Sequence, residues 1–310
     1  MLFKQIQLYQ LNDSFNCSSK NIEQSLDRLL FSPCLPSLPF STGWVPVIDE
    51  EDAPLTRTIS NCTIFCAQFE EKILPASVIR RALAEKIKQI EEAQNRKVHQ
   101  KEKYSLKDEI MMTLLPRAFS KFTKVYAYID TKHRWLVLGI ANEQKTEQFL
   151  TLFKKTMSDE IASLNLKKLS TQFTNWIKEK NCPDDFNVEK ECLLQDPNQS
   201  NRIIRCQQQN LFSSSIQGLI KEGCEIKQLA LSWKEQIHFV LHDDFSIHGI
   251  RLQDELLAQS KGMEAETKQQ QFDADFIIME ATLSAVIKKL LALFAVSDNK
   301  TRKKPELVVI

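Results

Sequence analysis

The sequence predicts an α+β chain, and three observations carry that reading. Segments alternating with a period of two are interspersed with segments of helical period, not strictly alternated with them. Three strand-like runs follow one another between Ile226 and Leu252 with only tight turns between them, the mark of antiparallel hairpins. Hydrophobic residues make up 43% of the chain and charged residues 26%, ordinary for a folded protein whose 310 residues can bury a sizeable core.

The elements can be justified in order. The first ten residues alternate loosely, with Leu2, Ile6 and Leu8 on one side and Phe3 and Tyr9 on the other, as in a strand. Ser18 and Ser19 open a helix to about Leu30 with the stripe Ile22, Leu26, Leu29, Leu30. Ser32 to Asp52 reads as a loop, with Pro33, Pro36, Pro39 and Pro46, the block Gly43-Trp44-Val45-Pro46 and the acidic run Asp49 to Asp52. Thr63 to Phe69 alternates again. After Pro75 one long helix is predicted from about Ser77 to Lys103, apolar at Ile79, Leu83, Ile87 and Ile90. Beyond Ile90 that stripe fades while good helix formers continue, which predicts a rod leaving the core. Ser105-Leu106-Lys107-Asp108 resembles a capping box opening a second helix, which Pro116 breaks.

Lys124 to Ile129 and Trp135 to Ile140 read as a hairpin turning at Thr131-Lys132-His133. A helix follows from Glu143 to Met157, with Phe149, Leu152 and Phe153 inward, then a short strand and a helix between Ile161 and Trp176. Asn181 to Asn201 is loop-rich, with one short element near Val188 to Leu194, and Ile203 and Ile204 read as a strand core. Ile226–Trp233, Ile237–Leu241 and Ser246–Leu252 are strands, with Asp243-Asp244 in the second turn. A strong helix spans about Ala274 to Phe294, and the basic tail Lys300 to Lys304 follows.

Composition excludes several classes. Six glycines argue against a glycine-loop nucleotide site, and no apolar run approaches the roughly 18 residues of a membrane span. Met1 to Ile6 is too polar and irregular for a signal peptide, so the cytoplasm is expected. The eight cysteines are scattered with no C-x-x-C pair and read as reduced, mostly buried thiols.

The formal charge of +1 conceals an uneven distribution. From Lys72 to Lys124 thirteen basic residues stand against six acidic ones, an excess of +7. Arg81, Lys88 and Asn95 lie seven apart, opposite the apolar face, and on one continuous helix His99 and Lys103 extend that side. With Arg80, Arg96, Lys97 and Lys101 they form a cationic surface suited to phosphate neutralisation. The competing reading is a solvated face of i,i+4 pairs such as Glu92 with Arg96. A second element, Leu114-Leu115-Pro116-Arg117-Ala118-Phe119-Ser120-Lys121-Phe122, sets two cations and two phenylalanines after a broken helix. It reads either as an exposed finger or as a helix stop whose phenylalanines enter the core.

At these residues the chain resembles the RdgC family of bacterial recombination-associated proteins. The blocks that carry the resemblance are Gly43-Trp44-Val45-Pro46, Glu70-Glu71-Lys72-Ile73-Leu74-Pro75, Ser105-Leu106-Lys107-Asp108-Glu109, Leu114 to Ser120, and Gln271-Phe272-Asp273-Ala274-Asp275-Phe276-Ile277. They occur in the family's order from Met1 to about Leu293; Asn181 to Gln217 matches poorly, and the tail after about Asp298 is extra. The resemblance implies a horseshoe-shaped α+β protomer over 1–310, with a protruding basic helical region at about 75–122. It also implies a ring-shaped homodimer enclosing double-stranded DNA without sequence preference, residence at the nucleoid, restraint of RecA through occupied DNA, and no cofactor or metal. Onto the motif positions it carries Lys72, Lys107, Arg117 and Lys121 as DNA-binding residues and Phe119 as a finger or dimer plug. Arg80, Arg81, Lys88, Arg96, Lys97, Lys101 and Lys103 rest on the charge argument.

Three other readings compete. Asp243-Asp244, and Asp273 with Asp275, offer paired carboxylates for a Mg²⁺-dependent nuclease. Turn geometry and the helix dipole explain these acids without a metal. A zinc set of Cys62, Cys66, His238 and His242 is disfavoured because four-residue spacing on a strand separates side chains by about 13 Å. The last class is a protein-interaction module acting on the recombinase without DNA.

Overall fold

A computed structural model describes residues 3–50, 52–157, 161–162, 164, 166–256, 258 and 267–294. The basic tail therefore lies outside the described residues. The fold is α+β with antiparallel strand ladders, and the chain divides into two compact units.

The unit made from residues 13–134 and 143–160 holds helix α1 (Ser19–Leu26), strands β2 (Phe40–Val45), β3 (Thr56–Ile59), β4 (Cys62–Ile73) and β5 (Phe119–Asp130), and helices α2 (Ala76–Gln94), α3 (Gln100–Leu114) and α4 (Glu143–Met157). β4 is its spine. β2 and β3 pair along one edge of β4 and β5 along the other, in an unbroken ladder from Cys62↔Asp130 to Ile73↔Phe119. One face of this sheet carries an aromatic core. Trp44 is 1% exposed. Its ring meets Phe65 and Phe149 edge-on, with both centroids at 5.5 Å, and Phe65 stacks on Phe153. The indole N–H is satisfied by Thr156 Oγ1 at 2.8 Å, so the ring's polar edge is buried with a partner. Lys145 of α4 reaches Glu71 and Thr123, both at 3.3 Å, and clamps the helix to that face.

The stretch from Ser32 to Asp52 is not all loop: β2 lies inside it. Prolines flank β2 but do not interrupt it, and Gly43 sits at its centre because the backbone of Leu30 and Phe31 passes directly over it. β3 escapes sequence reading because its four residues are too few to show a period.

The expected single rod is a hairpin of two helices. α2 ends at Asn95, which takes the left-handed conformation (φ 49°) that asparagine tolerates at a helix C-terminus. Val98 is buried in the connection, with its N–H bound to Glu91 Oε1 at 3.0 Å, and α3 starts at Gln100. Ser105, read as a cap, is therefore inside α3. Ile79 and Leu106 are buried and Leu83, Ile87 and Ile90 half-buried where α2 and α3 pack together. Because Ile73 and Phe119 are direct partners, the excursion leaves and rejoins the β4–β5 ribbon at one end.

The other unit, from residues 1–12, 135–142 and 161–310, contains β1 (Gln7–Leu11) between β6 (Trp135–Leu138) and β7 (Ile161–Ala162). It also contains a five-stranded sheet ordered β12-β11-β10-β8-β9, from β8 (Phe186–Asp196), β9 (Gln199–Cys206), β10 (Glu225–Trp233), β11 (Ile237–His242) and β12 (Ile247–Leu252). The last three match the sequence reading closely. β8 and β9 are longer than expected from a loop-rich stretch, and Ile203, read as core, is 56% exposed on the edge strand. Helix α5 (Leu169–Glu179) lies along β10, where Thr174 Oγ1 accepts the Ile226 N–H at 3.0 Å. Helix α7 (Lys268–Phe294) places Phe294 edge-on to Phe173. Helix α6 (Ser214–Lys221) completes this unit's named elements.

Candidate nucleic-acid interface

The end of β4, the helical hairpin and the adjoining start of β5 carry the candidate cations, and the structure sorts these into two groups. The first is already partnered. Lys72, with a side chain only 12% exposed, stands 3.8 Å from Glu70. Glu70 is buried, and its carboxylate accepts from Ser120 Oγ and the Cys34 N–H, both at 2.6 Å. Those two hydrogen bonds, with Lys72 adding less, hold its pKa below the ordinary glutamate value. Arg81 pairs with Glu85 at 3.1 Å and Lys88 with Glu92 at 3.7 Å, both one turn apart on α2. Arg96 forks onto Glu102 at 2.7 and 2.8 Å across the connection. The fork holds the guanidinium protonated and the Glu102 carboxylate ionised.

The second group is open. Arg80, Lys97, Lys101, Lys107, Arg117 and Lys121 are exposed and have no carboxylate partner among the described residues. Lys103 is half-buried on the first turn of α3. Arg80 Nε is bound only to the Ala76 carbonyl at 3.3 Å. Lys86, exposed on α2, belongs with them; it lies off the seven-residue stripe, so spacing did not single it out. Because the chain reverses after Asn95, the side joining Arg81 and Lys88 does not continue into His99 and Lys103, which sit at the start of the returning helix α3.

Phe119 is 84% exposed, so its ring does not enter the core as the helix-stop reading expected. Directly opposed residues share a sheet face, so Phe119 stands with Ile73, and Lys121 with Glu71 and Phe40. Ile73 and Phe40 are each 49% exposed. An apolar cluster therefore borders Lys121 at the ribbon's end. Tyr104 and Met112 are exposed on α3, and Phe122 on β5.

The competing acids and ligands sit elsewhere. Asp243 pairs with Lys227 at 3.2 Å, Asp244 accepts from the Ser246 N–H and hydroxyl, and Asp275 accepts from Gln271. Asp273 lies in the second turn of α7. Cys62 and Cys66 are buried on β4, and burial pushes the Cys66 thiol up to about 12. On β11, His238 bonds Glu189 while His242 stacks on His248.

Fold and surface together define an α+β protein with a cation-bearing helical hairpin and, among the described residues, no helix long and apolar enough to cross a membrane. Comparison with known proteins is more specific. A family model described as "Putative exonuclease, RdgC" matches residues 1–297. The recombination-associated protein RdgC of Yersinia enterocolitica is 35% identical over 291 residues, 93% of this chain and 96% of its own length. That of Yersinia pestis strain Pestoides F is 36% identical over the same span. The chain belongs to the RdgC family.

Proposed function

We propose that this protein binds double-stranded DNA without sequence preference, encircles it as a ring-shaped homodimer, and restrains RecA-mediated recombination by occupying the duplex. The observation that carries the proposal is the run of exposed, unpaired cations along the hairpin and the start of β5. Each is free to replace condensed counterions on a phosphate without first breaking an ion pair. Lysines and arginines meeting phosphates as point or forked charges favour backbone contact over sequence readout. The recombination-associated name of the relatives agrees in direction. Phe119 and its apolar neighbours supply a plug for a subunit contact beside the cations.

Occupancy by a closed ring has a topological consequence. A dimer cross-linked at its subunit contacts should thread onto linear duplex but fail to capture closed circles, while the uncross-linked dimer captures both. Equal capture of circles by the cross-linked form, or a monomeric solution mass, would reject encirclement. The family model's description favours one second reading, a nuclease. Mg²⁺-dependent shortening of duplex ends, abolished by Asp273→Ala, would establish it.

A further inference from the structure

Cys192 on β8 and Cys206 on β9 are directly opposed in the antiparallel ladder, which puts their side chains side by side on one face of the sheet. Both are buried, at 4% and 6% exposure. Opposed residues of an antiparallel pair hold their Cβ atoms about 4.5–5.5 Å apart. A disulfide needs about 3.5–4.5 Å, so closure requires only a small inward shift of one strand. β9 is the outermost strand of its sheet, paired on one side only, and so can make that shift. A shallow pocket of about 160 Å³ opens against this part of the ribbon, lined by Glu191, Cys192, Arg205 and Cys206 among others.

We infer that Cys192 and Cys206 form a redox-active dithiol, which small-molecule disulfides such as oxidised glutathione convert to a cross-strand disulfide that staples β9 to β8. The inference is independent of the DNA-binding proposal. The exchange balances as two displacements. One cysteine loses its proton, and its thiolate sulfur attacks the oxidant's S–S bond, forming a mixed disulfide and expelling one small thiolate, which takes up that proton. The second cysteine, deprotonated in turn, attacks the protein sulfur of the mixed disulfide. The Cys192–Cys206 bond forms, and the second small thiolate leaves with the second proton. Two electrons and two protons pass to the oxidant.

Burial, and then the neighbouring thiol, raise the pKa of Cys192, so at neutral pH it stays protonated and attacks slowly from the closed sheet. Oxidation should therefore follow fraying of the edge strand. Once formed, the staple should suppress that fraying and slow amide exchange across β9.

The test is a thiol count and a peptide map of the folded full chain after incubation with oxidised glutathione. Trypsin cuts after Lys190, Arg202, Arg205 and Lys221, which puts the two cysteines on separate peptides, residues 191–202 and 206–221. The expected result is loss of two of the eight titratable thiols, one species in the digest run without reductant that joins those peptides, and its disappearance on adding dithiothreitol. Cys192→Ala or Cys206→Ala should leave a glutathione adduct on the remaining cysteine. Linkage through Cys17, Cys182 or Cys224 instead would overturn the inference. So would 192 and 206 both remaining free thiols while those oxidise. The map on the unsubstituted chain decides the matter even if a variant fails to fold.

Discussion

Replacing Gly43 by alanine places a Cβ 2.4 Å from Phe31 Cα, 2.5 Å from its nitrogen and 2.7 Å from the Leu30 carbonyl carbon. All three are backbone atoms, so no side-chain rotation relieves the contact. Gly43 has no left-handed φ to explain it; the requirement is close approach alone. Ordinary contact begins near 3.4 Å, so the 30–31 backbone must retreat by about 1 Å. That retreat breaks the hydrogen bond from the Phe31 N–H to the Trp44 carbonyl, now 2.9 Å, and loosens the strand carrying the central indole. Overpacking of this kind costs about 1–3 kcal/mol and the lost hydrogen bond about 1, for a total of about 2–4 kcal/mol. At roughly 2 cal/mol/K per residue, a whole-chain transition should lose about 3–6 °C in Tm. Gly218 is the internal control. It lies in α6 with nothing within 4 Å of an added Cβ, so Gly218→Ala should stabilise by about 0.5–1 kcal/mol. Urea denaturation of both variants measures the difference. A Gly43→Ala midpoint within error of the parent, or the same sign for both substitutions, would refute the reasoning.

The remaining predictions draw on other contacts. Trp44→Phe and Thr156→Val should each destabilise, and a double-mutant cycle should show about 1 kcal/mol of coupling from the indole hydrogen bond; additivity would place the cost in packing alone. His242 stacks 3.8 Å from His248, and burial with that neighbour lowers its pKa to about 4, against the favourable charges of Asp244 and Asp243. The unfolded chain thus binds protons first, so stability should fall as pH drops from about 6.5 towards 4. After allowance for partial exposure the loss is about 1–2 kcal/mol, and a pH series on His242→Gln should show it reduced. Glu85→Gln with Glu92→Gln releases Arg81 and Lys88 from their one-turn pairs. Duplex affinity should rise and its salt dependence steepen by up to about 1.8 in slope; no change would place those two cations away from DNA.

Much of the fold was legible where periodicity ran long. β10, β11, β12 and α4 each alternate or repeat over enough residues for one face to declare itself, and the structure buries those faces. The misreadings have specific physical causes. β2 is hidden by the prolines around it, and its glycine is a packing device rather than a turn residue. The hairpin looked like one rod because residues 91–103 contain neither glycine nor proline. The break rests on Asn95's tolerance of a left-handed turn and on side-chain ties, Glu91 to Val98 and Arg96 to Glu102, which no local propensity encodes. The thinning of the stripe after Ile90, with Val98 the only aliphatic residue larger than alanine before Leu106, was the available sign that the first helix had ended. At the candidate interface the sequence located the cationic region. It could not say which cations were committed, because Lys72's tie to a buried Glu70 depends on Ser120 and Cys34 arriving from distant segments.

The central claim, that the open cations of the hairpin meet duplex phosphates, is tested most directly by the salt dependence of duplex binding in Lys97→Ala, Lys101→Ala and Lys107→Ala. Each exposed lysine that meets a phosphate should lower the magnitude of the slope of log K against log salt by about 0.9, equally on unrelated sequences. Slopes indistinguishable from the parent in all three variants would contradict the account.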